Sequence, residues 1–246
     1  MPEAWTKVDI IHHLASCRGA ASYLEICTPT TGNRYAEIDQ SRFRICDRLM
    51  SLCPDDYNDG LAIDFRSATK DIDHCFERIV RSGRRYDVIL VDPWHEYETS
   101  MSALVMAGKV LADGGTIVVH DCLPTCADEA TPNFRPGAWC GVTFKAYLDF
   151  LLADPSFGYM TVDTDYGCGL MRRSNRLRRL VGEVFGFGGR RGSERPSRRE
   201  ALAKWKTTGA DYEQAFRYLR EHAEALLNLC GVDAFRSGEA SWVHAR

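Results

Sequence analysis

Tyr86-Asp-Val-Ile-Leu-Val-Asp92-Pro-Trp-His95, followed by Gly114-Gly-Thr-Ile-Val-Val-His120-Asp121, sets the architecture of this chain. Each is a short run rich in Val and Ile that stops on an acidic residue. A histidine stands three positions beyond the first acid and directly before the second. Uninterrupted apolar runs of this length predict strands buried on both faces, the mark of a parallel sheet covered by helices. Residues at the carboxyl ends of such strands line the crevice where open α/β sheets bind ligands. Two carboxylates and two imidazoles delivered to one crevice predict a site for chemistry.

Upstream, a short helix around Val8 to Cys17 precedes Ser22-Tyr-Leu-Glu-Ile-Cys-Thr28, a compact strand pattern running into a turn marked by Pro29 and Gly32. Phe43 to Cys53 alternates in part and predicts a second strand. Pro54 to Gly60 is rich in turn residues, and Leu61 to Phe65 predicts a third strand. From Asp71, the residues Ile72, Cys75, Phe76, Ile79 and Val80 recur at helical spacing, with Gly83 as the stop. Downstream, Thr99 to Leu111 predicts a helix stopped by Asp113-Gly-Gly115. Residues 122 to 137 carry three prolines and little periodicity, as a functional loop or lid does.

Ala138 to Ala153 predicts a helix, and residues 158 to 163 with 167 to 171 predict a terminal hairpin. Strands alternating with helices and closing on a hairpin give an α/β fold: a doubly wound, mostly parallel sheet with an antiparallel C-terminal edge. The organisation expected is a Rossmann-like domain over 1–172, an Arg/Gly-rich linker over 173–200 and a helical C-terminal extension over 201–246. In the extension, Asp211 to Leu229 reads as an amphipathic helix terminated by Gly231. Its stripe of Tyr212, Phe216, Leu219, Ala223, Leu226 and Cys230 serves a core or a contact in a homo-oligomer.

At 246 residues, 45% hydrophobic and 26% charged, the chain has the composition of an ordinary globular protein with a sizeable core. Its start lacks the basic and apolar segments of a signal peptide, and no apolar run reaches membrane length, so a cytoplasmic protein without a membrane partner is expected. The ten cysteines are irregularly spaced and form no Cys-x2-Cys pair. They predict free thiols, several buried, rather than a zinc site. The net charge is −3, yet residues 172–200 hold ten arginines against three glutamates, so that segment is +7 and the rest −10. Nucleic acid, acidic lipid or a phosphorylated substrate are alternatives there to a solvated linker. No interleaved aromatic platform accompanies the arginines, which disfavours nucleic acid as a partner.

Ser22-Tyr-Leu-Glu-Ile-Cys-Thr28 resembles the first-strand motif of class I S-adenosylmethionine-dependent methyltransferases. The segment from Tyr86 to Glu98 and that from Leu111 to Pro124 resemble the fourth strand and the fifth strand with its exit loop in one subfamily. This is the methyltransferase-24 group, which includes macrocin-type sugar O-methyltransferases. The similarity covers about residues 20 to 172. It implies an S-adenosylmethionine-dependent O-methyltransferase acting on a hydroxylated small molecule or sugar, assisted by magnesium (Mg2+).

Carried over to this chain, the resemblance makes Asp92 and Asp121 metal ligands, His95 the base and His120 its neighbour in catalysis. Glu25, Thr28, Gly32, Asp64, Phe65 and Asp92 would contact the cofactor. The chain departs from the resembled group in its first loop, where Cys27-Thr-Pro-Thr-Thr-Gly32 has a single glycine in place of a glycine-rich turn. The ribose-binding acid has three candidates, Asp47, Asp55 and Asp56.

Each residue also has a plainer role. Asp92 would cap the following helix, His95 and His120 would be satisfied polar residues, Glu25 would accept from backbone donors of the loop, Asp64 would end a strand and Trp139 would pack a helix start. Three other functions stay open at this point: a non-catalytic binding module with a degenerate cofactor loop, a metal-dependent sugar-modifying enzyme without S-adenosylmethionine, and an accessory protein that recognises nucleic acid through its Arg-rich segment.

Overall fold

A computed structural model describes residues 5–30, 33–174, 197–208, 211–240 and 242–244. Gly32 and most of the arginine-rich segment lie outside the described residues. The chain runs through α1 (Lys7–Arg18), β1 (Ser22–Cys27), two single-turn 3₁₀ segments, β2 (Ile45–Met50), β3 (Phe65–Arg66), α2 (Asp73–Ser82) and β4 (Tyr86–Val91). It continues with α3 (Tyr97–Val110), β5 (Leu111–Val119), α4 (Thr143–Ala153), β6 (Phe157–Val162) and β7 (Cys168–Arg173). Last come α5 (Arg198–Thr208), α6 (Tyr212–Leu227), β8 (Leu229–Cys230), α7 (Val232–Ser237) and β9 (Val243–His244).

The strands form one sheet in the order β3-β2-β1-β4-β5-β7-β6-β8, with β9 paired to β6. From β3 to β5 the pairing is parallel, and β7 lies antiparallel between β5 and β6. This is the doubly wound, Rossmann-like sheet with an antiparallel edge that the sequence pattern predicts. All ten cysteines are free thiols.

The period of two along each strand divides the core. Ile89, Val91, Ile117 and Val119 face one apolar cluster with α2, α3, α4, α5 and α6, while Val88, Leu90 and Val118 face another with α1 and α7. Both faces are therefore dry, which is why β4 and β5 read as continuous apolar runs. The C-terminal segment joins the same core. Trp205 is fully buried and donates to Asp149 Oδ1 at 2.8 Å, while Tyr97 donates to the other oxygen at 3.0 Å.

Several boundaries differ from expectation for local reasons. The expected third strand, Leu61 to Phe65, is reduced to Phe65–Arg66 because Asp64 turns back to accept from the Arg48 backbone at 2.9 Å. Val80 is 47% exposed and lies off the buried face of α2. No loop separates α3 from β5: Leu111 already pairs with Tyr86, and Gly114 at φ +73° takes up the register shift before Thr116 pairs with Val88. Residues 138–142 are not helical, so α4 begins at Thr143. Finally, α6 kinks at His222 and ends on Asn228 in the left-handed region, and Gly231 instead opens α7.

Candidate active site

Parallel packing of β4 against β5 brings Asp92 and His95 beside His120 and Asp121, just beyond the carboxyl ends of the two strands. His95 Nε2 lies 3.0 Å from Asp92 Oδ1 and 3.3 Å from Asp121 Oδ2. His120 Nδ1 lies 3.2 Å from Asp121 Oδ2 and 3.4 Å from Asp92 Oδ2. All four residues are at least nine-tenths buried. Asp121 holds φ +61°, a left-handed conformation that Asp tolerates better than most residues. Asp92 does not cap the next helix: α3 starts five residues later, with Glu96 at its N-cap.

Two further residues complete the cluster, and both escaped the sequence reading. Lys7, the first residue of α1, places its ammonium on Asp92 Oδ2 and 3.5 Å from His120 Nδ1. Its backbone N–H donates to Asp165 Oδ2 at 2.9 Å, and the same oxygen lies 3.3 Å from His120 Nε2. Asp165 comes from the β6–β7 turn, where Asp165, Tyr166 and Gly167 all have positive φ. A signal for Lys7 did exist. With Ile10, Ile11 and Leu14 buried, Lys7 falls at i, i+3, i+4, i+7 on the apolar stripe of α1.

The hydrogen-bond pattern fixes the protonation of His95. His95 Nδ1 lies 2.6 Å from the Trp139 carbonyl, which only accepts, and its Nε2 faces two carboxylates. Each ring nitrogen must therefore donate, so His95 is an imidazolium. His120 differs: its Nδ1 faces Asp121 and Asp92 but also the Lys7 ammonium at 3.5 Å, and its Nε2, 3.3 Å from Asp165, makes no hydrogen bond among the described residues.

The pKa shifts agree in direction. Burial opposes charge on His95, but Asp121 and Asp92 outweigh it and raise its pKa. His120 is raised well above the ordinary value, burial and the neighbouring Lys7 ammonium both being outweighed by Asp121 and Asp92. Asp92 is held well below the carboxylate range, because Lys7 and His120 overcome the burial that would raise it. Asp165 is brought down to about 2, chiefly by His120 against burial.

Over His95 sits an aromatic group. Trp139 packs 5.2 Å from the imidazole, and Trp94 and Phe134 lie 4.8 and 5.2 Å from Trp139. Phe134 is half exposed and belongs to the proline-rich loop. Gly141, at φ +59°, allows this loop to close on His95: a Cβ there would lie 2.1 Å from the His95 carbonyl oxygen.

The other predicted residues lie elsewhere along the same sheet edge. Glu25 is fully buried in β1 and accepts from the Tyr23 hydroxyl at 2.8 Å and the Arg34 N–H at 3.0 Å. Burial lifts its carboxyl to about 7 against those bonds. Thr28 is buried at the end of β1, its hydroxyl 3.5 Å from that of Thr30. Asp64 bonds the Arg48 backbone, and Phe65 packs under the Arg78 guanidinium. Neither belongs to the cluster.

Of the three ribose candidates, Asp47 is turned away, because it accepts from Tyr86 and Arg84 at the amino end of β4. Asp55 and Asp56 are exposed in the loop beyond β2. Ser51, at the end of β2, is fully buried, and its hydroxyl has no hydrogen-bond partner among the described residues.

No family model matches the chain, and no curated protein does. Among solved structures, the chain is similar to an O-methyltransferase from Bacillus cereus in complex with SAH, at 14% identity and a TM-score of 0.46 over 70% of this chain and 84% of the other. It is also similar to the O-methyltransferase TomG from Streptomyces achromogenes in complex with SAM, at 15% identity and 0.46 over 71% and 84%. A third is the MycE methyltransferase of mycinamycin biosynthesis in complex with Mg, SAH and mycinamycin VI, at 14% identity and 0.45. There the match covers 74% of this chain and 51% of the other. Among the described residues, no helix is long and apolar enough to cross a membrane.

Proposed function

We propose that the chain is an S-adenosylmethionine-dependent O-methyltransferase of the macrocin-type kind, acting on a hydroxylated small molecule or sugar. The observation that carries this is the convergence of Asp92, His95, His120 and Asp121 on one sheet edge, in the segments that resemble that group. The cofactor's place is supported by Ser51: a buried hydroxyl without a partner is costly, and a ligand against the ends of β1 and β2 would supply one. Thr28, Ser51 and the backbone after Thr28 would hold it, with Asp92 on its inner side and Asp64 and Phe65 toward the outer edge. Glu25 would brace the loop through the Arg34 N–H. When bound, the cofactor supplies a sulfonium methyl group for in-line transfer to the acceptor oxygen.

The chain's own part is to orient the acceptor and take its proton. An acceptor hydroxyl that took the place of a carboxylate partner at His95 Nε2 would give its proton to that nitrogen, after Nε2 had released its resting proton to solvent, and Asp92 would stabilise the imidazolium that results. Trp94, Phe134 and Trp139 would exclude water above the ring.

Magnesium fits the donor types but not the charge. Ligand atoms of Asp92, His95 and Asp121 all lie within 4.8 Å of one another, and carboxylate oxygens are what magnesium takes. Yet three carboxylates (Asp92, Asp121, Asp165) already face three cations (Lys7, His95, His120). A crystal soaked with S-adenosylhomocysteine tests the proposal. Density at the carboxyl ends of β1 and β4 supports it, and density confined elsewhere, or none, overturns it.

A further inference from the structure

We propose that the ammonium of Lys7 is the resident cation of this site and keeps a divalent metal out of it. Lys7 is placed by construction rather than by a flexible reach. Thr6 and Asp9 form a capping box that fixes the first turn of α1, and Ile10, Ile11 and Leu14 bury the helix against the sheet. The Lys7 backbone N–H is tied to Asp165 while its side chain bonds Asp92, so both ends of the residue are held. The ammonium is only a few per cent exposed. A buried cation is tolerated only when paired, and Asp92 is its partner.

The consequence for a metal is electrostatic. The Lys7 ammonium already sits on Asp92 Oδ2 and 3.5 Å from His120 Nδ1, so a divalent ion entering between Asp92, His95 and Asp121 would meet a fixed cation at close range and compete with it for that carboxylate. Removing the ammonium takes away the nearest partner of Asp92 Oδ2 and leaves His120 Nδ1 beside it at 3.4 Å. His95 is then well posed as a ligand, because its Nδ1–H is already anchored on the Trp139 carbonyl. The donor set is thus complete apart from the charge that Lys7 contributes. The inference concerns the cluster's charge and not the reaction, so its failure and that of the methyl-transfer proposal are read from different titrations.

Electron paramagnetic resonance of Mn2+ titrated into the full chain tests it, since protein-bound Mn2+ loses the sharp signal of the free ion. Wild type is expected to leave the signal close to that of buffer, whereas Lys7→Met binds at least about tenfold more tightly. Lys7→Arg, which keeps the charge, behaves as wild type. Adding Asp92→Asn to Lys7→Met removes the gain, which places the ion in the cluster. Wild type binding Mn2+ as tightly as Lys7→Met overturns the proposal, as does a folded Lys7→Met with no gain. Should Lys7→Met fail to fold by circular dichroism, Lys7→Gln takes its place under the same criteria.

Discussion

His95 donates from Nδ1 to the Trp139 carbonyl at 2.6 Å, and this one bond fixes which ring nitrogen is left to do chemistry. Only Nε2 faces the carboxylates, and in the resting state it carries a proton. A base must first lose that proton, and the pKa of His95 is raised, burial being outweighed by Asp121 and Asp92. The base form is therefore scarce below the raised pKa and appears as pH rises through it. The rate of methyl transfer is expected to climb with pH, with a midpoint above the ordinary histidine value. In His95→Gln the limb disappears along with most of the rate; a limb with an unmoved midpoint in that variant would remove His95 as the base.

Asp121→Asn separates charge from shape. Asparagine tolerates the left-handed φ of +61° as aspartate does, so the turn after β5 should hold its form. Methyl transfer is expected to fall by roughly 10²- to 10⁴-fold, with the circular dichroism spectrum unchanged. Activity within twofold of wild type would show that the second carboxylate has no part in the chemistry.

Gly141→Ala tests the clamp on His95. The new methyl group would stand 2.1 Å from the His95 carbonyl oxygen, on backbone already at φ +59°. Denaturant unfolding should show a loss of about 2–4 kcal/mol, and any folded fraction should have lost activity disproportionately. A variant of wild-type stability would mean that residues 138–142 close over His95 less tightly than described.

The sequence pattern reached further for the sheet than for the site. β4 and β5 were legible because burial on both faces leaves no polar interruption, and their ends delivered Asp92, His95, His120 and Asp121 to one place. Lys7 and Asp165 were not, because they come from 85 and 73 residues away from Asp92 in sequence and meet it only through the fold. Lys7 left a trace as a charged residue on an apolar helix stripe. Asp165 left none, since an acid in a hairpin turn is ordinary. β8 and β9, two residues each, are too short to show any period. Residues 138–142 looked helical by composition, but Gly141 is there for a close approach to His95, which tertiary structure alone reveals.

Glu25 gives a stability prediction with a definite sign. Its carboxyl rises from the ordinary value near 4.5 to about 7 in the fold, through burial. The neutral acid is thus favoured in the native state. The associated stability is present below pH 4.5 and lost as pH climbs through 7, by roughly 3 kcal/mol in all. Glu25→Gln stays neutral and keeps an acceptor for the Arg34 N–H, so its unfolding free energy should exceed wild type at pH 8 and approach it at pH 4. A variant less stable than wild type at pH 8 would show that the fold favours the Glu25 carboxylate rather than penalising it.

The account rests on a cofactor that seats against the ends of β1, β2 and β4, and isothermal titration calorimetry with S-adenosylhomocysteine reads that directly. Saturable one-to-one binding is predicted, weakened by Ser51→Val and by Asp92→Asn. No heat at millimolar ligand, from a chain shown to be folded, would contradict it.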